Sequence, residues 1–166
     1  MQTARDQWLE KSMAQWEVPL LSTCYLLLRD AALAEDAVQE TFLKAWRAHE
    51  TYRQESSEKT WLMRIAVNTC RDMMRSRWFR RVDRTVNMDD LPEPTAAFSE
   101  PDDTLARAIL SLPDSLRQVI TLRYYQGMSV QEVADVLRVH RRTVHYRLDK
   151  AERILRDALE DWYHAE

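Results

Sequence analysis

The sequence predicts an all-α protein of two small helical domains joined by a flexible acidic linker, and three observations support this fold class. The 166 residues include one glycine and five prolines, so few tight turns are available. No stretch alternates apolar and polar residues as a half-buried strand would. The segment from Asp83 to Thr104 holds three prolines, many acids and no helical periodicity, as linkers do. We therefore expect domains at 1–83 and 105–166 and a linker at 84–104.

Three helices are predicted in the first domain. They run from a weak start signal at Thr3 and Asp6 to Arg29, from about Leu33 to Ala48, and from about Thr60 to Arg80. Pro19 lies inside the first helix and should kink or split it, because proline has no backbone N–H. The polar segment 49–59 is expected to be a loop.

Four helices are predicted in the second domain. Their expected positions are 105–110, Pro113 to Gly127, a third helix that starts from a capping box at Ser129 and Glu132, and a fourth that ends near Tyr163. Only three residues, 138–140, separate the last two, which predicts a helix-turn-helix.

The predicted helix-turn-helix has a buried side and an outward side. The apolar set expected to be buried is Val133, Ala134, Leu137, Val144, Leu148, Ala151 and Leu155, with Val139 filling the turn. The side chains expected to face outward are Arg142, His145, Tyr146 and Asp149.

Arginines stand around this turn at positions where local backbone and dipole preferences disfavour them. Arg138 stands where such turns favour glycine, and a left-handed backbone there costs roughly 1 kcal/mol. Arg141 and Arg142 open a helix whose dipole repels cations. A phosphate backbone beside that helix start would reverse the sign of the penalty. We therefore favour DNA as the ligand; a helix docked on another protein is the alternative.

The third helix carries a second basic surface. Leu62, Ile65, Ala66, Cys70 and Met73 share one predicted face, and the opposite face holds Arg64, Asn68, Arg71 and Arg75, with Trp78 nearby. Guanidinium groups bind phosphates, and amides and aromatic rings recognise unpaired bases. This face fits single-stranded or distorted nucleic acid; a solvated arginine stripe is the alternative.

The second helix has an unusual outer surface. Ala34, Ala37, Val38, Phe42 and Ala45 are expected to be buried. The outward set mixes acids with large apolar residues: Asp36, Gln39, Glu40, Leu43 and Trp46. Such a mixture is typical of a protein-docking patch. Coverage by the first helix is the alternative.

Other classes of function find little support. The sequence has no nucleophile–base pattern and no phosphate-binding glycine loop, so we expect no enzyme, cofactor or metal site. Its longest apolar stretch is too short to span a bilayer, and the start lacks a signal-peptide pattern. Cys24 and Cys70 are expected to be two buried thiols in a reducing cytoplasm.

Three segments in order, "AEDAVQETFLKAW", "TWLMRIAVNTCRDMMRSR" and "LPDSLRQVITLRYYQGMSVQEVADVLRVHRRTVHYRL", resemble the extracytoplasmic-function sigma factors of bacterial RNA polymerase. The resemblance covers nearly the whole chain. It implies a subunit that binds core RNA polymerase, recognises the −10 and −35 promoter elements and aids DNA melting. It also implies control by an anti-sigma factor.

The resemblance assigns roles to particular residues. The β′ clamp helices of the polymerase would meet Asp36, Gln39, Glu40, Leu43 and Trp46, and the β flap would meet the second domain. The −10 element would be opened by Arg64, Asn68, Arg71 and Arg75 and a flipped base captured by the loop Tyr52, Arg53, Gln54, Glu55, Ser56 and Ser57. The −35 element would be bound by Arg141, Arg142, Thr143, His145, Tyr146 and Arg147.

The chain departs from the family pattern where bases are recognised. The turn is Arg138-Val139-His140 where the family commonly has Gly-Ile-Ser, and the next helix has Thr143–Arg147 as Thr-Val-His-Tyr-Arg where the family commonly has Thr-Val-Lys-Ser-Arg. The loop Tyr52–Ser57 also lacks the usual Phe-Arg-Gly pattern. These departures leave the promoter sequences open.

Two other functions are weighed against this one. A stand-alone helix-turn-helix regulator would need neither the Leu43–Trp46 surface nor the basic face of the third helix. A small helical enzyme acting on nucleic acid would show turnover.

Overall fold

The structure, a computed structural model, describes residues 1–82 and 103–164, with side chains at 1–76 and 104–161. The chain divides into two compact units, Met1–Pro94 and Thr95–Glu166. The described residues form helices and no strand, which confirms the all-α fold class. The α-helices are α1 (Ala4–Leu28), α2 (Ala31–Ala48), α3 (Glu58–Val82), α4 (Asp103–Leu110), α5 (Asp114–Ile120), α6 (Val130–Leu137) and α7 (Arg141–His164).

The first unit is a bundle in which α1, α2 and α3 all contact one another. Apolar residues at helical spacing from each helix fill its core. Among them, Leu20, Cys24, Ala34, Ala37, Ala45, Ala66 and Val67 have no exposed surface at all. The whole face predicted for α2, Ala34 to Ala45, is buried.

Local capping explains where α1 and α2 begin. The Thr3 side chain accepts a hydrogen bond from the Asp6 N–H, and the Asp6 side chain accepts one from the Thr3 N–H. This reciprocal pair satisfies two amides that the first turn leaves without partners. Arg29 ends α1 in a left-handed conformation, and Asp30 then caps α2 through the Leu33 N–H at 3.0 Å.

Pro19 does not split the first helix, which runs unbroken from Ala4 to Leu28, so the predicted split was wrong. A proline inside a helix costs about 3 kcal/mol. The segment after Pro19 contains Leu20, Thr23 and Cys24, which have no exposed surface, and α1 packs on both of its neighbours. Burial of this length of apolar helix outweighs the missing hydrogen bond.

The second unit is built around α7, which contacts α4, α5 and α6. The predicted helix from Pro113 to Gly127 is α-helical only to Ile120 and continues as a π-helix over Thr121–Tyr125. It ends before Gly127, whose φ is 62°, as the sequence predicts. Arg117 lies 1% exposed at the start of this run, where its guanidinium donates to the Leu112 carbonyl and to Asp114, each at 2.6 Å.

Two other boundaries differ from the predictions. Residues His49–Thr51 form a 3₁₀ turn, and α3 begins at Glu58 rather than near Thr60. Most of the predicted linker, 84–102, lies outside the described residues, whereas Asp103 and Thr104 belong to α4. No helix in the described parts of the chain is long and apolar enough to cross a membrane.

Candidate protein and nucleic-acid interfaces

The outer face of α2 combines exposed acids with an exposed leucine. Asp36 and Gln39 are exposed, Glu40 is half-buried, and Leu43 exposes 41% of its surface. The exposed part of Leu43 is apolar surface that the fold leaves uncovered, so it is available to contact a partner. We call Asp36, Gln39, Glu40 and Leu43 the α2 face.

Trp46, predicted to lie on the same face, is half-buried because the first turn of α1 covers it in part. Its indole Nε1–H donates to Asp6 Oδ1 at 3.0 Å. The Arg5 guanidinium carbon lies 3.9 Å from the centroid of the Trp46 ring, a cation–π contact. For this residue, the alternative of coverage by the first helix is the one observed.

The Asp6 carboxylate both caps the start of α1 and binds the side chain of Trp46. The carboxylate accepts from the Thr3 N–H at 3.1 Å and from the Trp46 indole. These two hydrogen bonds, with a further one from the Thr3 side chain and the Arg5 charge, hold the pKa of Asp6 below its ordinary value. The sequence signal for Asp6 was its capping position; nothing in the sequence indicated its bond to Trp46.

The basic face of α3 lies opposite its buried face. Leu62, Met63, Ala66, Val67 and Cys70 are at most 2% exposed. The predicted core residues Ile65 and Met73 are only half-buried. The polar set keeps access to solvent: Arg64, Asn68 and Arg71 are half-buried and Arg75 is exposed. The Trp78 side chain lies outside the described side chains.

A polar contact that sequence reasoning missed joins α2 to α3. The Lys44 ammonium donates to Thr69 Oγ1 at 3.0 Å, and the Thr69 hydroxyl donates to the Ile65 carbonyl at 2.8 Å. Lys44 follows Leu43 of the α2 face, and Thr69 follows Asn68 of the basic face. The contact therefore links the two helices that carry the candidate surfaces.

The two cysteines meet in the core of the first unit. Both thiols are free and buried, as predicted. A hydrogen bond with Cys24, together with burial, raises the pKa of Cys70 far above its ordinary value. The Cys70 thiol therefore stays protonated, and both buried cysteines pack as small apolar side chains.

The loop before α3 is held by an aromatic stack. The Tyr52 and Trp61 rings are stacked, with centroids 4.5 Å apart and planes 21° apart. Trp8 extends the cluster, 6.0 Å from Trp61 and 4.3 Å from His49. The Tyr52 hydroxyl donates to the Ser56 carbonyl, which closes the loop on itself. Burial, and then the Glu58 charge, raise the pKa of Tyr52, so this hydroxyl keeps its proton.

The six loop residues proposed to contact DNA therefore differ in their surroundings. Arg53, Gln54 and Glu55 are exposed at the tip, where Gln54 has a φ of 57°. Ser57 accepts from the Thr60 N–H at 3.1 Å and caps α3. Tyr52 and Ser57 are thus engaged within the fold, and the tip residues are presented to solvent.

The helix-turn-helix has the predicted packing. All seven predicted core residues, Val133 to Leu155, are buried, and Val139 in the turn is half-buried. Ser129 and Glu132 form the predicted capping box. Arg138 has a φ of 55° and a ψ of 47°, which confirms the left-handed turn residue.

The start of α7 projects a cluster of polar side chains. Arg141, Arg142, His145, Tyr146 and Asp149 are exposed, and Thr143 and Arg147 are half-buried. Tyr146 exposes 65% of its surface although it lies only two residues from buried Val144 and from buried Leu148. An exposed aromatic ring beside arginines fits contacts with base edges and phosphates.

No group of His, Cys, Asp and Glu suited to a metal ion occurs among residues 1–82 and 103–164. The exposed chemistry described above is a mixture of arginines, acids and apolar side chains instead. It suits binding to DNA and to protein.

Comparison with known proteins gives the same two-part division. The family model for Sigma-70 region 2 matches residues 14–80, and that for Sigma-70, region 4 matches residues 102–155. The chain is 31% identical to the RNA polymerase sigma-H factor of Pseudomonas aeruginosa, with 88% of this chain and 83% of that protein covered. It is 32% identical to the ECF RNA polymerase sigma-E factor of Haemophilus influenzae, with 75% and 74% covered.

Two solved structures share the fold. The sigma factor RpoE, solved with the anti-sigma factor NepR from Bartonella quintana, has a TM-score of 0.79 at 24% identity, with 91% of this chain and 96% of that chain covered. CnrH, solved with the cytosolic domain of CnrY, has a TM-score of 0.71 at 25% identity, with 93% and 89% covered.

Both matched regions define a transcription initiation factor of the sigma-70 type. The chain belongs to the extracytoplasmic-function sigma factors of that family. It binds core RNA polymerase and directs promoter-specific initiation through the −10 and −35 elements.

Proposed function

We propose that the sigma-factor activity is divided between a domain at 1–83, which binds core polymerase and opens the −10 element, and a domain at 105–166, which binds the −35 element. The linker at 84–104 connects them. The observation that carries this proposal is the basic face of α3, which lies opposite the core. Asn68 of this face directly precedes Thr69, which contacts Lys44 of α2. We expect the protein to act in the cytoplasm, with no catalytic activity of its own.

The polymerase surface is proposed to be the α2 face together with Trp46. Exposed Leu43 would enter an apolar site on the β′ clamp helices, and Asp36 and Glu40 would meet basic residues around it. Apolar contact at the centre and charge at the rim is the usual anatomy of such a surface. The second domain would contact the β flap.

The −10 surface is proposed to combine the basic face of α3 with the loop at 52–57. Arg64, Arg71 and Arg75 would bind the phosphates of the opened strand, and the Asn68 amide would recognise a base edge. In the loop, Arg53, Gln54 and Glu55 would contact the flipped base directly. Tyr52, Ser56 and Ser57 would hold the loop in shape, because their polar groups are used within it.

The −35 surface is proposed to be the start of α7. Arg142, His145 and Tyr146 would enter the major groove, since they are exposed on successive positions of one helical face. Arg141, Thr143 and Arg147 would contact the groove rim and its phosphates. The phosphates would then favour the two arginines that the helix dipole disfavours.

An anti-sigma factor is proposed to control the protein. Two solved relatives with the same fold are complexes with proteins of this kind or with a cytosolic partner domain. Such a partner would cover the exposed surfaces that bind polymerase, including Leu43.

The −10 assignment is tested by Asn68→Ala and Arg71→Ala. Each variant should reduce promoter opening about tenfold or more, because a contact to the unpaired strand is worth about 1–3 kcal/mol. The affinity for core polymerase should stay unchanged.

Opening is measured by the fluorescence of a base analogue in the −10 element, and binding by titration with labelled core. Arg47→Ala, an exposed arginine on α2, is the charge-matched control. An equal loss of core binding and of opening would contradict the assignment.

A further inference from the structure

We propose that Arg5 is a carboxylate-binding residue of the polymerase-docking surface, held in place by Trp46 and aimed at an acidic side chain of core RNA polymerase. This inference rests on the proposed function of the α2 face. It adds a residue from the first turn of α1, which lies far from α2 in sequence and matches none of the motifs.

The Trp46 ring is fixed before any partner arrives. Its polar edge donates to Asp6 Oδ1 at 3.0 Å, and Asp6 is itself held by the Thr3 N–H at 3.1 Å. The end of α2 is thereby tied to the start of α1. Because the indole cannot turn without breaking the bond to Asp6, its face is a stable platform for Arg5.

The Arg5 guanidinium carbon lies over the Trp46 ring at 3.9 Å from its centroid, a distance that suits stacking of the two planar groups. A guanidinium stacked on an aromatic ring keeps its N–H donors in its own plane, pointing away from the ring. The Arg5 charge acts on neighbouring Asp6 and is one of the causes that lower the pKa of Asp6. Asp6 accepts hydrogen bonds from Thr3 and Trp46. The stack therefore leaves a planar fork of donors suited to one carboxylate.

The surroundings favour a protein carboxylate over a DNA phosphate. Leu43 stands one turn before Trp46 on α2 and exposes 41% of its surface, which suits a protein partner. Asp36 and Glu40 lie nearer the start of the same helix, and their charges would repel a phosphate backbone. A cation at one end of the surface and acids at the other fix the orientation of the docked partner.

The test is the affinity of the full chain for core polymerase, measured by titration at low and at physiological salt. Arg5→Ala should bind about tenfold more weakly, and the difference should shrink as salt is raised. Arg5→Lys should lose part of this affinity, because an ammonium keeps the charge and loses the planar fork. Lys11→Ala, which removes an exposed cation from the same helix, should bind as the wild type does.

Each other outcome overturns the proposal in its own way. Unchanged binding of Arg5→Ala overturns it, as does an equal loss in Lys11→Ala, which would show a general charge effect. Normal core binding with weakened promoter binding would assign Arg5 to DNA. If Arg5→Ala unfolds, Arg5→Lys decides: wild-type affinity overturns the proposal. Leu43→Ala separates this proposal from the proposed function of the α2 face. If Leu43→Ala binds core polymerase more weakly and Arg5→Ala does not, the role of the α2 face stands and only the role of Arg5 is rejected. If neither variant binds more weakly, both roles are rejected.

Discussion

At the scale of single residues, Asp6 shows how one carboxylate can serve local and tertiary structure together. It completes the capping box with Thr3 and binds the indole of Trp46, forty positions away. Both sets of hydrogen bonds favour the charged form, so they lower the pKa of Asp6 from its ordinary value of 3.8. Folding and ionisation of this group are therefore linked.

This linkage predicts the acid behaviour of Asp6→Asn. A carboxyl with a lowered folded pKa contributes stability above the unfolded value and loses it as the pH falls through the folded value. The melting temperature of the wild type should therefore fall more steeply than that of Asp6→Asn below about pH 4. The two should differ most near neutral pH and converge in acid. Thermal unfolding followed by circular dichroism measures this, with exposed Asp36→Asn as the control for the change of charge. Parallel curves for wild type and Asp6→Asn would contradict the linkage.

Residue-scale prediction from the sequence succeeded where periodicity decides and failed where contacts between distant segments decide. The buried sets of α2 and of the helix-turn-helix follow from apolar spacing alone. Trp46 shows the limit, because its place on the outer face gave no sign that Arg5 and Asp6 would reach it. Tyr52 is similar: only the structure pairs its ring with Trp61 and its hydroxyl with Ser56.

At the scale of helices and turns, the sharpest feature is the turn between α6 and α7. The predicted left-handed residue is present at Arg138, which is exposed and ends α6. A side chain in this conformation crowds the following carbonyl, at a cost of roughly 1 kcal/mol. The helix-turn-helix keeps this strain because Val139 and His140 must redirect the chain within three residues.

Replacing Arg138 by glycine should therefore stabilise the second unit. Arg138→Gly is expected to raise the free energy of unfolding by about 1 kcal/mol, since glycine adopts this backbone without a steric cost. Arg138→Ala removes the same charge and keeps the Cβ atom, so it should gain nothing. Urea unfolding of both variants gives the comparison. Equal gains in the two would mean that the charge, and not the backbone, carries the effect.

Other elements show why helix type and continuity were harder to predict than helix position. Pro19 is a strong breaker by itself, yet burial of Leu20 and Cys24 keeps α1 continuous. The change from α to π geometry at Thr121 has no composition signal, although Gly127 correctly marked where the helical run ends. Tertiary packing overrides local preference in both cases.

At the scale of the whole molecule, two compact units each carry one proposed DNA surface rich in arginine, although the net charge of the chain is −3. Residues 86–103 contain six acids and no base, which accounts for much of the balance. The chain as a whole is therefore slightly acidic, whereas its arginines are grouped on one proposed face of each unit. Specific binding then depends on both promoter elements being engaged together.

Engagement of two separate elements predicts how variants combine. Arg142→Ala should weaken initiation at a promoter selected from a random library by about tenfold, as loss of one good base contact costs about 1–3 kcal/mol. It should have little further effect once the −35 element is scrambled. Asn68→Ala should lose activity equally on both promoters. In the double variant the two losses should add within about 0.5 kcal/mol, because the two contacts are proposed for separate units and separate promoter elements and share no partner. Single-round transcription with core polymerase measures all four proteins on both templates. If Arg142→Ala lost as much on the scrambled template as on the intact one, α7 would contribute only general affinity, and the assignment of the −35 element to it would fall.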